Sequence, residues 1–349
     1  MAGGEPDDVG PVDRNRPTVV LAFDKFRGTA TSLELAEAAA EAATSVGWDS
    51  RIVPVADGGE GTLEVLGGAN KTTRVTGPLG QPVDAGWRLD GREAFIEMSA
   101  ASGLQLVGGA EGNDPLEAST VGTGQLIAAA VELGAKTVFV FVGGSATTDG
   151  GLGAIRALEN TARMKEIDLV VGCDVETLFV DAAEVFAPQK GASRAQIALL
   201  GRRLDRLTQV YLEEFGVDVS TEPGGGAAGG LAGGLMAVGA KLQSGFEILA
   251  EHVHLDLHLG EAALCITGEG KLDSTSFAGK AVGGIVRWCG DLGVPTAAVV
   301  GTVEDGLVVP SSIDLRSLSE IYGLERATTE TAALAAAQVA DILSGFEAG

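Results

Sequence analysis

The sequence predicts an α/β protein of two lobes, one built on a parallel sheet and a second, mixed α/β lobe inserted into it. Three observations lead there. Short continuous apolar runs, the first being Thr18 to Phe23 (TVVLAF), read as strands buried on both faces and are followed by glycine-rich loops and helical patterns. Between Thr72 and Met98 the pattern changes to alternating runs punctuated by turn residues, which marks entry into the second lobe. The length of 349 residues exceeds one average domain.

Residues 1–16 are polar and rich in Gly, Pro and Asp, and read as a disordered tail. The strand at Thr18 is followed by a turn at Gly28 and an Ala/Glu/Leu helix over Ser32 to Ser45. A second strand over Arg51 to Val55 runs into the loop ADGGEGT, where helical spacing resumes. The turns Gly77-Pro78-Leu79-Gly80 and Asp90-Gly91 then divide short strands, including one over Ala94 to Glu97. A helix over Thr123 to Leu133, a strand over Thr137 to Val142, the loop Gly143 to Gly151 and a strand over Leu169 to Gly172 follow. A long helix covers Arg194 to Phe215, and after the glycine run Pro223 to Gly234 come strands at Ala262 to Thr267 and Pro295 to Val300 that rejoin the first sheet. Between them lies a helix over Gly279 to Gly290, and Ala327 to Leu343 forms a terminal helix. The expected lobes are thus 17–77 plus 262–345, and 78–261.

Composition excludes several classes of function. Lys and Arg number 24 against 48 Asp and Glu, so the net charge of -24 repels nucleic acid and anionic lipid. Apolar stretches are short and glycine-punctuated, with neither a membrane span nor a secretory signal. The three cysteines, Cys173, Cys265 and Cys289, show no CxxC spacing and fit reduced thiols of a cytoplasmic protein. His254 and His258 would share one face of a continuous helix and could hold a metal, but a solvated amphipathic segment is the simpler reading.

The chemistry-bearing pattern is a strand that ends in a glycine-dense loop carrying carboxylates and a base. Glycine lets backbone N–H groups turn toward an anion, and a following helix N-terminus adds positive potential. Four loops fit: Asp24-Lys25-Phe26-Arg27-Gly28, Asp57-Gly58-Gly59-Glu60-Gly61, Gly143 to Gly151 with Ser145 and Asp149, and Gly268-Glu269-Gly270-Lys271-Leu272-Asp273. A carboxylate beside phosphate-neutralising cations is what phosphoryl transfer needs, and hard carboxylate oxygens suit magnesium better than zinc. No P-loop GxxxxGK[ST] occurs. Gly224 to Gly229 satisfies GxGxxG, yet no apolar strand precedes it, so a nucleotide-dependent oxidoreductase is a weak alternative.

These loops, in this order, resemble the glycerate kinase family of bacteria. The resemblance is carried also by Ile96 to Leu104, Cys173-Asp174-Val175, Pro188-Gln189-Lys190-Gly191-Ala192, Gly226 to Leu231 and Gly279-Lys280. It implies a flavodoxin-like or Rossmann-like lobe, a lobe peculiar to the family, ATP with Mg2+ as cofactor, and D-glycerate as acceptor at its 2-hydroxyl. It makes Asp57 or Asp149 the base or magnesium ligand, with Lys25 and Arg27 catalytic. Asp24, Gly58, Gly59, Glu60, Gly144, Ser145, Asp174, Lys190, Gly229, Glu269, Asp273 and Lys280 are expected to bind substrate or nucleotide, in a monomer or homodimer. The chain departs from the family at Arg27, at Gln125, after Asp174, and at Val282. Between Leu158 and Leu169 it lacks several tens of residues typical of members. A related acceptor, a 3-phosphoglycerate product or an inactive ligand-binding homologue are the other readings.

Overall fold

The structure, a computed structural model, describes residues 16–26, 28–56, 58–59, 61–158, 164, 166–277 and 280–346. The chain divides into two compact units, one formed by Met1–Pro54, Leu255–Ser274 and Ile285–Gly349, the other by Val55–His254 and Thr275–Gly284. The expected tail falls almost wholly outside the described residues, as does most of the shortened stretch after Leu158.

The first unit is organised by five parallel strands, β1 (Thr18–Phe23), β2 (Asp49–Ile52), β9 (Leu264–Gly268), β11 (Thr296–Val300) and β13 (Ile313–Ser317). Their spatial order is β13-β11-β9-β1-β2. Counted within the unit this is the 2-1-3-4-5 arrangement of flavodoxin-like sheets. The buried β1, β9 and β11 explain the continuous apolar runs, since helices and chain cover both faces. Helix Ser32–Ser45 begins with a capping box, in which Thr31 accepts from the Glu34 N–H and the Glu34 side chain accepts from the Thr31 N–H. It packs Leu35, Ala36, Ala39 and Ala43 into a core shared with Leu334, Ala335 and Val339 of the terminal helix Thr331–Gly345. Small Ala residues on both helices permit this close packing.

The second unit holds a six-stranded sheet in the order β3-β4-β5-β6-β7-β8. Here β3 (Lys71–Thr76), β4 (Pro82–Asp90) and β5 (Glu93–Glu97) are antiparallel neighbours, while β6 (Thr137–Phe141), β7 (Asp168–Gly172) and β8 (Lys241–Gln243) continue parallel to β5. The mixed sheet follows from sequence: tight turns join β3, β4 and β5, whereas helices connect the later strands. Trp87 is wholly buried in the main core and satisfies its indole N–H on Thr73 Oγ1 at 2.9 Å. Helix Arg194–Phe215 falls where its pattern places it, because Ser193 and Gln196 form a capping box and Gly216 ends it in the left-handed conformation.

Several expectations are corrected. The second strand ends at Ile52 rather than Val55, since its pairing with β1 stops at Leu21 and Ile52, while β1 itself runs on to Phe23 against β9. The terminal helix is split, with Leu324–Thr329 preceding Thr331–Gly345. His254 has φ 52° and separates helix Gly245–His252 from helix Leu255–Gly260, so His254 and His258 do not share one continuous helix.

Candidate active site

In the first unit the strand order reverses at β1 and β9, and the crevice beyond such a reversal is where open α/β sheets bind ligands. The two loops leaving these strands are joined there, Asp24 N–H donating to the Gly268 carbonyl at 2.9 Å. Asp24 Oδ1 accepts from the Lys25 N–H at 2.7 Å, so the carboxylate organises its own turn. Phe26 is buried and exchanges two backbone bonds with Ala30, both 3.0 Å, which pins the turn around position 27. Arg27 itself lies outside the described residues. Glu269 and Gly270 offer their carbonyls to Gly301 and Thr302, each at 3.0 Å, and the Ser274 N–H beyond Asp273 donates to Glu304 Oε2 at 3.2 Å.

In the second unit, loops at the carboxyl ends of β5, β6 and β7 form two clusters. One surrounds Gly58 and Gly59. Gly58 has φ +76°, and a Cβ there would stand 2.6 Å from Gly245 Cα, so only glycine fits. Asp174, at the end of β7, accepts the Gly245 N–H at 3.0 Å and so fixes the start of helix Gly245–His252. Glu97, at the end of β5, accepts the Leu63 N–H at 2.8 Å, and Thr62 Oγ1 donates to the Gly59 carbonyl at 2.7 Å. Asp57 and Glu60 of the same loop lie outside the described residues.

The other cluster is the loop Gly143 to Gly151. Leu104 N–H donates to the Gly144 carbonyl at 2.8 Å and Ala146 N–H to the Ser102 carbonyl at 3.0 Å, tying the loop to the end of β5. Gly150 N–H donates to the Gly229 carbonyl at 3.0 Å, and Gly229 sits so close that a Cβ would overlap the Thr147 carbonyl. Ala228 is left-handed too, with φ 53°, a conformation non-glycine residues adopt only under constraint. Asn113 Nδ2 bridges the carbonyls of Ala146 and Lys190 at 3.0 and 2.9 Å. Lys190 is 3% exposed, and its Nζ donates to the Thr147 carbonyl at 2.5 Å with Ser145 Oγ at 3.5 Å. Burial pushes this amine down to about 7, opposed in part by the negative charge of Asp149.

Asp149 does other work than the sequence assigns it. Its carboxylate accepts the N–H groups of Thr120, Gly151 and Gly153 at 2.9, 3.1 and 3.1 Å, and the hydroxyls of Ser119 and Thr120 as well. Both oxygens are engaged, which joins the starts of helices Val121–Glu132 and Leu152–Ala157. Five donors on one carboxylate mark it as a structural brace for these two helix starts. Gly224 to Gly229 follows turns after the long helix rather than a strand, so the weak dinucleotide reading loses its structural context. Lys280 is half-buried immediately before helix Ala281–Leu292, and its carbonyl accepts the Gly284 N–H at 2.9 Å. Among the described residues no group of three or more His, Cys, Asp or Glu could hold a metal ion.

Sequence reasoning passed over Asn113 and Gly245, and took Glu97 and Thr147 only as members of longer motifs without a role of their own. Glu97 and Gly245 had a signal, standing respectively at a strand end and at a Ser-Gly helix start. Asn113 had none, because its Gly-Asn-Asp-Pro surroundings read as an ordinary turn.

Among the described residues no helix is long and apolar enough to cross a membrane. The glycerate kinase family model matches residues 19–162 and 159–344, two pieces that meet where the chain lacks the extra segment. Escherichia coli (strain K12) has a protein named glycerate 2-kinase that is 39% identical over 338 residues, covering 85% of this chain and 88% of the relative. A glycerate kinase of Halalkalibacterium halodurans is 37% identical over 329 residues, 83% of this chain and 86% of the relative. A crystal structure from Salmonella typhimurium LT2, provisionally described as glycerate kinase 2, superposes with a TM-score of 0.78 at 32% identity, covering 95% of this chain and 99% of that one. The chain belongs to the glycerate kinase family and is a kinase.

Proposed function

We propose that this kinase transfers the γ-phosphoryl group of ATP to the 2-hydroxyl of D-glycerate, giving 2-phosphoglycerate and ADP. The observation that carries the reading is the match to a glycerate 2-kinase across 85% of this chain, which takes in both units rather than one. The geometry is compatible with it. Each unit gathers its glycine-rich loops at the carboxyl ends of its strands, which is where open α/β sheets bind ligands.

In the reaction the bond from the γ-phosphorus to the bridging oxygen breaks, a bond to the glycerate oxygen forms, and the hydroxyl proton passes to a base. Asp57 is the better candidate for that base, because both Asp149 oxygens already accept hydrogen bonds. Asp149 holds the loop instead. Lys25, Arg27 and Lys280 are the candidates for the positive potential that a triphosphate requires. Magnesium, when bound with ATP, would supply positive charge to the phosphates. Such an ion keeps phosphate and water oxygens as most of its ligands, so one or two protein carboxylates suffice to hold it, and Asp57 would do so only in place of its role as base.

Phosphorus NMR of a reaction containing MgATP and D-glycerate tests the assignment. A new 2-phosphoglycerate resonance growing in step with ADP is expected. A 3-phosphoglycerate resonance would overturn the regiochemistry, and absence of glycerate-dependent ADP from folded protein would overturn the substrate.

A further inference from the structure

Lys190 is a buried amine with an unusual set of neighbours. Its Nζ reaches a carbonyl and a hydroxyl, those of Thr147 and Ser145, and among the described residues no carboxylate lies within ion-pair distance of it. A buried ammonium without a counter-charge is costly, and protein groups in that position lose the proton or acquire a partner. Two more polar atoms beside it are buried without a partner among the described residues. They are Asn113 Oδ1, whose amide nitrogen holds the Lys190 carbonyl, and Thr148 Oγ1, next to the residue whose carbonyl takes Nζ. Thr148 is 1% exposed, so its hydroxyl is a second buried polar atom in the same loop without a partner among the described residues. Gly144, one residue before Ser145, is exposed and has φ 67°.

We propose that Lys190 is a positioning residue that takes up a proton when an anionic oxygen group, a carboxylate or a phosphate, binds at the Gly144–Ser145 turn, its ammonium then stabilising that group electrostatically from behind the loop it braces through Thr147 and Ser145. The proposal rests on the kinase reading above, which supplies both kinds of anion. Burial holds the amine at about 7 in the empty loop, so at pH 8 it is mostly neutral. A negative group nearby favours the charged form and draws the proton on. Other titratable groups face the same region. Asp149 lies on the loop, and Tyr211 of helix Arg194–Phe215 donates to the Gly150 carbonyl at 2.8 Å and is held protonated by burial. Arg156 stands on helix Leu152–Ala157, and Asp114, Asp181, Glu184 and Arg194 are exposed on the adjoining segments. Of these only Tyr211 is buried as Lys190 is.

Calorimetric titration of the full chain in two buffers of different protonation enthalpy tests this, with D-glycerate in one arm and ADP in the other. At pH 8 about one proton should be taken up per bound ligand in the arm that fills the loop, and almost none at pH 5.5, where the amine is already charged. The glycerate arm identifies a carboxylate, the ADP arm a phosphate. Affinity in that arm should fall by up to about tenfold per pH unit above pH 8. Lys190→Met should abolish the uptake, and Lys190→Arg should bind without it. If Lys190→Arg fails to fold, the stability of the empty protein against pH decides. Folding depresses the Lys190 amine from 10.5 to about 7, so wild type should gain stability relative to Lys190→Met as pH rises between those values. No proton uptake in either arm, or uptake that persists in Lys190→Met, overturns the proposal even where glycerate supports ADP production. Absence of that ADP production counts against the substrate reading alone, because the ADP arm still measures Lys190.

Discussion

At the scale of single residues, Asp149 and Lys190 show how burial reassigns roles. In sequence, an aspartate in a glycine-rich loop reads as a base or metal ligand. In the fold, three backbone N–H groups and two hydroxyls consume its oxygens, and it acts as a shared cap for two helix starts. Asp149→Ala should therefore destabilise the protein by about 2–5 kcal/mol, since it leaves buried donors unmade, and Asp149→Asn by less because one acceptor oxygen remains. Urea denaturation checks this. A variant as stable as wild type but inactive would return Asp149 to a chemical role. Neither outcome was readable beforehand, because the types Asp and Lys state a charge while their partners come from segments remote in sequence, Ser119 and Thr120 for one, Ser145 and Thr147 for the other.

At the scale of elements, the strands that read most plainly were those buried on both faces, β1, β9 and β11, where continuous apolar runs leave no other account. The edge strands β13 and β8 escaped notice. IDLRS and KLQ are partly solvated and too short to show a period. Glycine content announced the loops but not which glycines are obligatory. Gly229 and Gly216 have similar dihedrals, φ 68° and 73°, yet a Cβ on Gly229 would stand 2.6 Å from Thr148 Cα and overlap the Thr147 carbonyl, whereas nothing lies within 4 Å of Gly216. Gly216→Ala should cost about 1 kcal/mol, the strain of the left-handed conformation alone. Gly229→Ala should cost clearly more and should also lower kcat/KM, because it pushes the loop that carries Ser145. Thermal melts together with steady-state kinetics on the pair separate the two effects, and equal behaviour of both variants would contradict the crowding at Gly229.

At the scale of the whole molecule, the net charge of -24 is a property of every surface at once. Like charges repel in the compact state, and the range of that repulsion shrinks from about 30 Å at 0.01 M salt to about 3 Å at 1 M. The melting temperature should rise by roughly 2–5 °C between these concentrations of sodium chloride. A flat or falling profile would mean that ion pairs such as Arg51–Glu261, 2.6 Å apart, outweigh the net repulsion.

The sequence alone determined the α/β class and the order of the buried strands and their loops, because these depend on local patterns of apolar period and glycine punctuation, while the kinase family was legible through the resemblance of its collinear motifs. Only the tertiary structure decided which of the described polar residues are spent on holding loops together. That difference is set by burial and by hydrogen bonds between distant segments, and neither quantity exists until the chain has folded.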